Sequence, residues 1–279
     1  MSLNLIFAAA SIFGATLISM PASTPGAQTA GQPRIIQVSS VASDLNAQLA
    51  PLVAEVRGQA EAFVFLSGGA SKMREDHQRQ LLAMFDALPR LARSGRRIGV
   101  GDGGTKAGIM EAAGLARQAS GNAFPLIGVA PAAEIPPRGK TPLDPNHSHI
   151  VAVDNPSAGP QDAWGSETDT MYRLFASLAA GRPSVTIVAN GGGITLSEVA
   201  ANVQAGRRMI LIEGSGRAAD ALVSLLKKTT PADSEVRSLR EQAEKASLTR
   251  RPELFVVVPL QSGAAGLQDA IVAAIGRSQ

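Results

Sequence analysis

The sequence predicts an α/β fold with a mostly parallel central sheet of about seven or eight strands, flanked by helices on both faces. Three observations carry this. From Arg34 onward, short β-branched or apolar runs alternate with stretches whose apolar residues repeat at helical spacing. Several runs are apolar at nearly every position, as in strands covered on both faces. Glycine-rich turns follow several of the runs, where a strand hands over to a helix. With 279 residues and 45% hydrophobic content, the chain can bury the core such a sheet needs.

The elements follow in order. Leu5 to Met20, LIFAAASIFGATLISM, is as long as the apolar region of a signal peptide and short for a membrane span. No Lys or Arg precedes it and no good A-x-A site follows. Ser23 to Pro33 reads as a flexible tether. Residues 1–33 therefore leave three alternatives open: a membrane attachment through residues 5–20, an export signal, or an extension of a cytoplasmic protein, with the cytoplasmic reading in front. The expected strands are Ile35 to Val38, Ala62 to Leu66, Arg97 to Val100, Leu126 to Val129, His149 to Val153, Ser184 to Val188, Met209 to Ile212 and Leu254 to Val258. Asp76 to Leu91 and Met171 to Leu178 carry helical periodicity, and Ser166 with Asp169 resembles a capping box. Pro131 to Pro145 is the one long loop and a candidate rim for a site. No repeat and no boundary divides residues 34–279, so they are read as one domain.

Composition narrows the function. The 26 basic and 23 acidic residues are dispersed and leave a net charge of only +3, and aromatics make up 4%, which disfavours a nucleic-acid groove. The absence of cysteine excludes disulfides, thiolate metal sites and cysteine nucleophiles.

Four glycine turns fall at expected strand ends: Ser67-Gly68-Gly69-Ala70, Gly101-Asp102-Gly103-Gly104-Thr105, Asn190-Gly191-Gly192-Gly193 and Gly214-Ser215-Gly216-Arg217. In a parallel sheet they share the carboxyl edge, where open α/β folds bind ligands. Bare backbone beside helix amino termini suits phosphate; Thr105 and Thr195 add hydroxyls or cap the helices behind them, and Arg173 and Arg217 offer forked donors. Any one such turn is more readily an ordinary turn former, and it is the four together on one edge that favour a ligand. Gly99-x-Gly101-x-x-Gly104 and Gly214-x-Gly216-x-x-Ala219 match the dinucleotide fingerprint in letters, but neither lies in the first βα unit and neither has an acidic ribose partner, so hydride transfer is not expected. A P-loop is absent.

His147 and His149 of DPNHSH would share a face on a strand, yet no third ligand or H-E-x-x-H accompanies them. No metal is expected; hydrogen bonding at the strand entrance comes first for these histidines and ligand contact second. Glu198, read as lying in the first turn behind the Asn190 loop, and Glu167 either complement helix dipoles or hold ribose hydroxyls.

The ordered strings GDGGTKAGIM, FPLIGVAP, PLDPNHSHIVAVDN, WGSETDTMYRLFASLAAGRPSVTIVANGGGITLSEV and LIEGSGRAADAL resemble the prokaryotic LSDAT branch of the SLOG superfamily across residues 34–279. They are similar also to the cytosolic amino-terminal region of melastatin-type TRP channels. The resemblance implies a Rossmann-like domain that binds a nucleotide or NAD-derived ligand such as ADP-ribose and acts as a sensor, with no further cofactor. Homo-oligomers are compatible with it. A more distant similarity is to the Lonely-guy phosphoribohydrolases, whose PGGxGTxxE motif aligns with Asn190 to Glu198. Thr195 and Glu198 are kept, whereas asparagine replaces proline and Ile194 replaces a glycine. That similarity implies the alternative, an N-glycosidic hydrolase in which Glu198 stabilises the ribosyl cation and Arg173 holds phosphate.

Overall fold

From β1 (Arg34–Ser39) the chain runs through α1 (Leu45–Gln59), β2 (Ala62–Gly68), α2 (Glu75–Met84), α3 (Ala87–Arg93), β3 (Ile98–Asp102), α4 (Gly108–Ala119) and β4 (Leu126–Pro131). After the long proline-rich connection come β5 (His149–Asp154), α5 (Thr168–Ala179), β6 (Ser184–Ala189), α6 (Gly193–Gln204), β7 (Arg208–Glu213), α7 (Arg217–Lys227), α8 (Ser234–Lys245), β8 (Phe255–Pro259) and α9 (Gly263–Ile275). The computed structural model describes residues 32–69, 74–159 and 163–276. Leu5 to Met20 and Ala70 lie outside them. Among the described residues no helix is long and apolar enough to cross a membrane.

Each of the eight apolar runs forms a strand, and all join one parallel sheet in the order β1-β5-β4-β3-β2-β6-β7-β8. The fold is Rossmann-like α/β. After β2 the chain steps outward through β3, β4 and β5, and after β6 it steps the opposite way through β7 and β8. The direction therefore reverses between β2 and β6, which pair with Ser67 opposite Val188 and Gly68 opposite Ala189. Such a reversal opens a crevice at the carboxyl ends of its strands.

Alternation along the strands divides the core between two faces. Val64, Leu66, Val100, Val185, Ile187 and Ile210 meet α2, α3, α4 and α9 on one face. Phe63, Phe65, Val129 and Val151 meet α1 and α5 on the other, where Val188, Met209 and Leu211 meet α6, α7 and α8. Phe65 and Phe175 stack with centroids 4.2 Å apart, a contact that adds about 0.5–1.5 kcal/mol to their burial. Gly101 makes room for it, since a Cβ there would come within 2.6 Å of the Phe175 ring. Part of the fingerprint-like glycine string thus serves aromatic packing.

The structure differs from the sequence reading in three places. The periodic stretch Asp76 to Leu91 is two helices, because Pro89 has no N–H to give the Phe85 carbonyl and fits only the first turn of α3. Ser166 does not cap α5: its hydroxyl donates to the Ala163 carbonyl, 2.7 Å, and Glu167 occupies the cap position. The turn after β3 does not open α4 directly, since Thr105 bridges to Leu143 and Lys106 N–H donates to the Pro142 carbonyl, 2.8 Å. The same bonds dock the carboxyl end of the Pro131 to Pro145 loop on that turn, with Ile135 buried and Asp144 N–H donating to the Gly104 carbonyl, 3.1 Å.

Candidate functional site

At the reversal point, β2 delivers Ser67 on the face that carries α5 and α6. The Ser67 hydroxyl donates to Glu198 Oε2 of α6. Glu198 lies in the second turn of that helix, one turn deeper than the first-turn reading, and points inward. Glu167 at the start of α5 is buried beside it, and its Oε2 accepts from Gly165 N–H, 2.8 Å. Burial raises the Glu198 pKa to about 8; the Ser67 hydrogen bond opposes this and the charge of Glu167 adds to it. Burial likewise raises Glu167 to about 7 against the amides of Glu167 and Gly165. A second layer fixes the carboxyls. Asn202 Nδ2 donates to the Glu198 carbonyl, 2.8 Å, and to the Tyr172 hydroxyl, 2.9 Å, while its Oδ1 accepts from Thr186 and Arg207. The Arg207 guanidinium lies 4.7 Å from the centre of the Phe65 ring.

Three of the four glycine turns are knitted together. Asn190 Nδ2 donates to the Gly69 carbonyl, 2.8 Å, and Asn190 N–H to Ser215 Oγ, 2.8 Å. Ala218 and Ala219 at the start of α7 donate to the carbonyls of Gly191 and Asn190, 3.3 and 3.1 Å. Most amides expected to grip phosphate have acceptors within the chain. Gly214 and Gly216 N–H donate to the Asp220 carboxylate, 2.7 and 3.2 Å, and Gly192 N–H to Thr195 Oγ1, 3.2 Å. Among the described residues, the Gly193 and Ile194 amides opening α6 have no acceptor, and both residues are exposed. The Arg217 guanidinium reaches over Gly192, where an added Cβ would stand 3.0 Å from its Nη2, and pairs with Glu235, 3.0 Å. Arg173 is exposed on α5, and no described side-chain bond joins it to Glu198.

The remaining expected site residues stand on the opposite face of the sheet. Asp102 Oδ1 accepts from Gly104 N–H, 2.7 Å, and lies 2.8 Å from His147 Nε2, while His147 Nδ1 lies 3.2 Å from Asp144 Oδ1. All three side chains are sealed beneath α4, where Gly114 leaves space for the Asp144 carboxylate. Thr105 is buried at its bridge, and Gly103 turns above Met110. Burial alone would lower the His147 pKa, but Asp102, through charge and hydrogen bond, and then Asp144 raise it to about 9. The β3 turn therefore belongs to an internal ionic cluster separated by the sheet from Ser67 and Glu198. With both ring nitrogens engaged by carboxylates, His147 is a hydrogen-bonded histidine. Among the described residues no group of three His, Asp or Glu side chains is arranged to hold a metal.

A family model described as SLOG in TRPM, prokaryote, matches residues 61–267. The chain belongs to this family. Comparison with curated proteins gave no match. The SLOG match takes in β2, the three knitted turns, Glu167, Glu198 and the His147 cluster, and begins after β1. Several parts of the crevice escaped the sequence reading. Ser67 was visible as a polar residue closing an apolar strand, and Asp220 as an acid in the first turn after Gly-Ser-Gly-Arg. Tyr172 and Asn202 gave no local signal, because their partner lies across the α5–α6 contact.

The crevice carboxyls set a pH dependence. Glu198 has a folded pKa of about 8 against an ordinary 4.5, so the stability it confers is complete below 4.5 and is lost as pH rises through 8. Glu198→Gln keeps an acceptor for Ser67 and removes the titration. Melting temperatures should show the variant gaining on the parent between about pH 5 and about pH 9; parallel curves would mean that Glu198 is ionised throughout.

Proposed function

We propose that this SLOG-family chain binds a nucleotide or NAD-derived ligand of the ADP-ribose kind in the crevice between β2 and β6, and acts as a ligand sensor. One observation carries the reading: two buried carboxyls, Glu198 held by Ser67 and Glu167 beside it, converge where the sheet reverses, next to the unsatisfied amides that open α6. Carboxyls with raised pKa values hydrogen-bond ribose hydroxyls without repelling a neighbouring phosphate as an ionised pair would. The Gly193 and Ile194 amides, with the helix dipole behind them, suit the phosphate. This differs from phosphate distributed over the Gly68, Gly103 and Gly214 turns, because Asp102 and Asp220 already occupy amides there. Trp164 is 41% exposed, and Ile194 lies against the adjoining Gly165, which gives a base an aromatic face at the rim.

Calorimetric titration of the full chain with ADP-ribose, NAD and AMP tests the reading. Heat is expected from at least one, with quenching of Trp164, the only tryptophan, and affinity at least about tenfold lower in Glu198→Gln, the loss of one good hydrogen bond. No heat from any of them overturns it.

The raised pKa of Glu198 also favours an N-glycosidic hydrolase, because a protonated carboxyl can donate to a departing base. Exposed Arg173 adds nothing to this reading, which rests on Glu198. Free base released from AMP or NAD by the parent and absent with Glu198→Gln would establish it; intact substrate after incubation would remove it.

A further inference from the structure

A cavity lies at the other edge of the sheet. It encloses about 410 Å³ where β1 and β5 begin and where α1 and α4 end, and Arg34, Glu55, Gln59, Arg117, Asn146 and His149 line it. A volume of that size accepts a small metabolite. Arg117 is its main feature. The half-buried guanidinium donates through Nε to the Phe124 carbonyl, 2.9 Å, and through Nη1 to Asn122 Oδ1 and the Asn146 carbonyl, 2.9 and 2.8 Å. All three acceptors are neutral, and among the described residues no carboxylate pairs with it. The cation is thus fixed in place, partly desolvated and without a counter-charge, and its Nη2 has no described acceptor. Burial lowers its pKa, which shows the cost of holding it charged.

The other charges around the cavity leave this imbalance standing. Glu55 is shared by Arg34, 2.9 Å, and His149 Nε2, 3.1 Å, while His149 Nδ1 bonds Ser148 Oγ. The His149 pKa is held down by burial, against Glu55, and further by the charges of Arg34 and Arg117. Two guanidinium groups then face one carboxylate. The negative ends of α1 and α5 at this edge are already covered: Arg97 donates to the Gly58 and Gln59 carbonyls, and Arg57 to those of Ser177, Leu178 and Ala180.

We infer that this amino-edge cavity is a second ligand site, built for a small phosphomonoester of sugar size. The phosphate meets the forked donors of Arg117 and Arg34, and hydroxyls meet the amide side chains of Gln59 and Asn146. The site shares no residue with the crevice and does not depend on its function.

The test uses glucose 6-phosphate on the full chain, with glucose and inorganic phosphate alongside. Glucose 6-phosphate should bind in calorimetry and glucose should not. Arg117→Lys and, at the exposed rim, Arg34→Gln should each weaken binding at least tenfold; Arg34→Gln keeps the test valid if Arg117→Lys fails to fold. By NMR titration the His149 pKa should rise on binding, because the phosphate charge offsets that of the two guanidinium groups. Absence of binding by both phosphates, equal binding of glucose, or an unmoved His149 overturns the inference. So does binding that survives both arginine substitutions and is lost in Glu198→Gln, which would assign the ligand to the crevice.

Discussion

Replacing His147 by leucine should cost about 3–5 kcal/mol of folding stability, the penalty of leaving buried charge unpaired. His147 lies between two carboxylates with its own side chain fully buried, and it supplies the only positive charge bonded to either among the described residues. Asp102 Oδ2 is already buried without a hydrogen-bond partner, so Asp102 has little left to hold it once the imidazolium is gone. Urea unfolding of parent and variant measures the cost, and a second substitution, Asp102→Asn, should return part of it by removing the stranded charge. The pH profile adds a sign. With a folded pKa of about 9 against 6.5, His147 contributes fully below 6.5 and its contribution fades as pH rises through 9, so the gap between parent and variant should narrow in alkali. A loss under about 1 kcal/mol would show that the cluster carries no net ionic pairing.

Gly104→Val should destabilise the fold strongly even though the residue lies in a turn. Gly104 has φ +71, and a Cβ would stand 2.9 Å from the Gly128 Cα and 2.8 Å from Ile150 Cδ1. Overpacking of about 1–3 kcal/mol adds to backbone strain of similar size, so a total near 3 kcal/mol or more is expected. Thermal melting by circular dichroism measures it. A variant that melts with the parent would mean that the turn lifts readily from β4. Loss of ligand binding in this variant would therefore report on the fold, and Glu198→Gln is the informative change for the crevice.

Local chemistry determined what could be read from the chain. Runs such as AFVFL and SVTIVA are strands because their mostly β-branched and aromatic residues suit a sheet covered on both faces, and no competing helical period runs through them. Their order in space was not legible, since nothing near Ala62 indicates that β2 will pair with β6. The glycine turns showed where strands end, but a glycine string is the same whether it faces a ligand, a phenylalanine ring or another glycine; Gly101 and Gly104 proved to be the last two cases. Glu167 and Glu198 were legible as acids near helix starts. Their approach to one another depended on α5 and α6 packing side by side over one face. The placement of Asp102 on the opposite face follows from alternation along β3, and His147 reaches it from the turn before β5, which nothing local to either residue announces.

The pairing of β2 with β6 also governs how the molecule is made. One side of β2 pairs early, with β3, but the other finds its partners only in residues 184–189, so the middle of the sheet stays open until the ribosome has delivered more than a hundred further residues. Through that interval AFVFL has one open apolar edge in a nascent chain, the kind of template that invites aggregation. Recombinant yield is therefore expected to depend more on chaperone capacity and growth temperature during synthesis than on the stability of the finished fold.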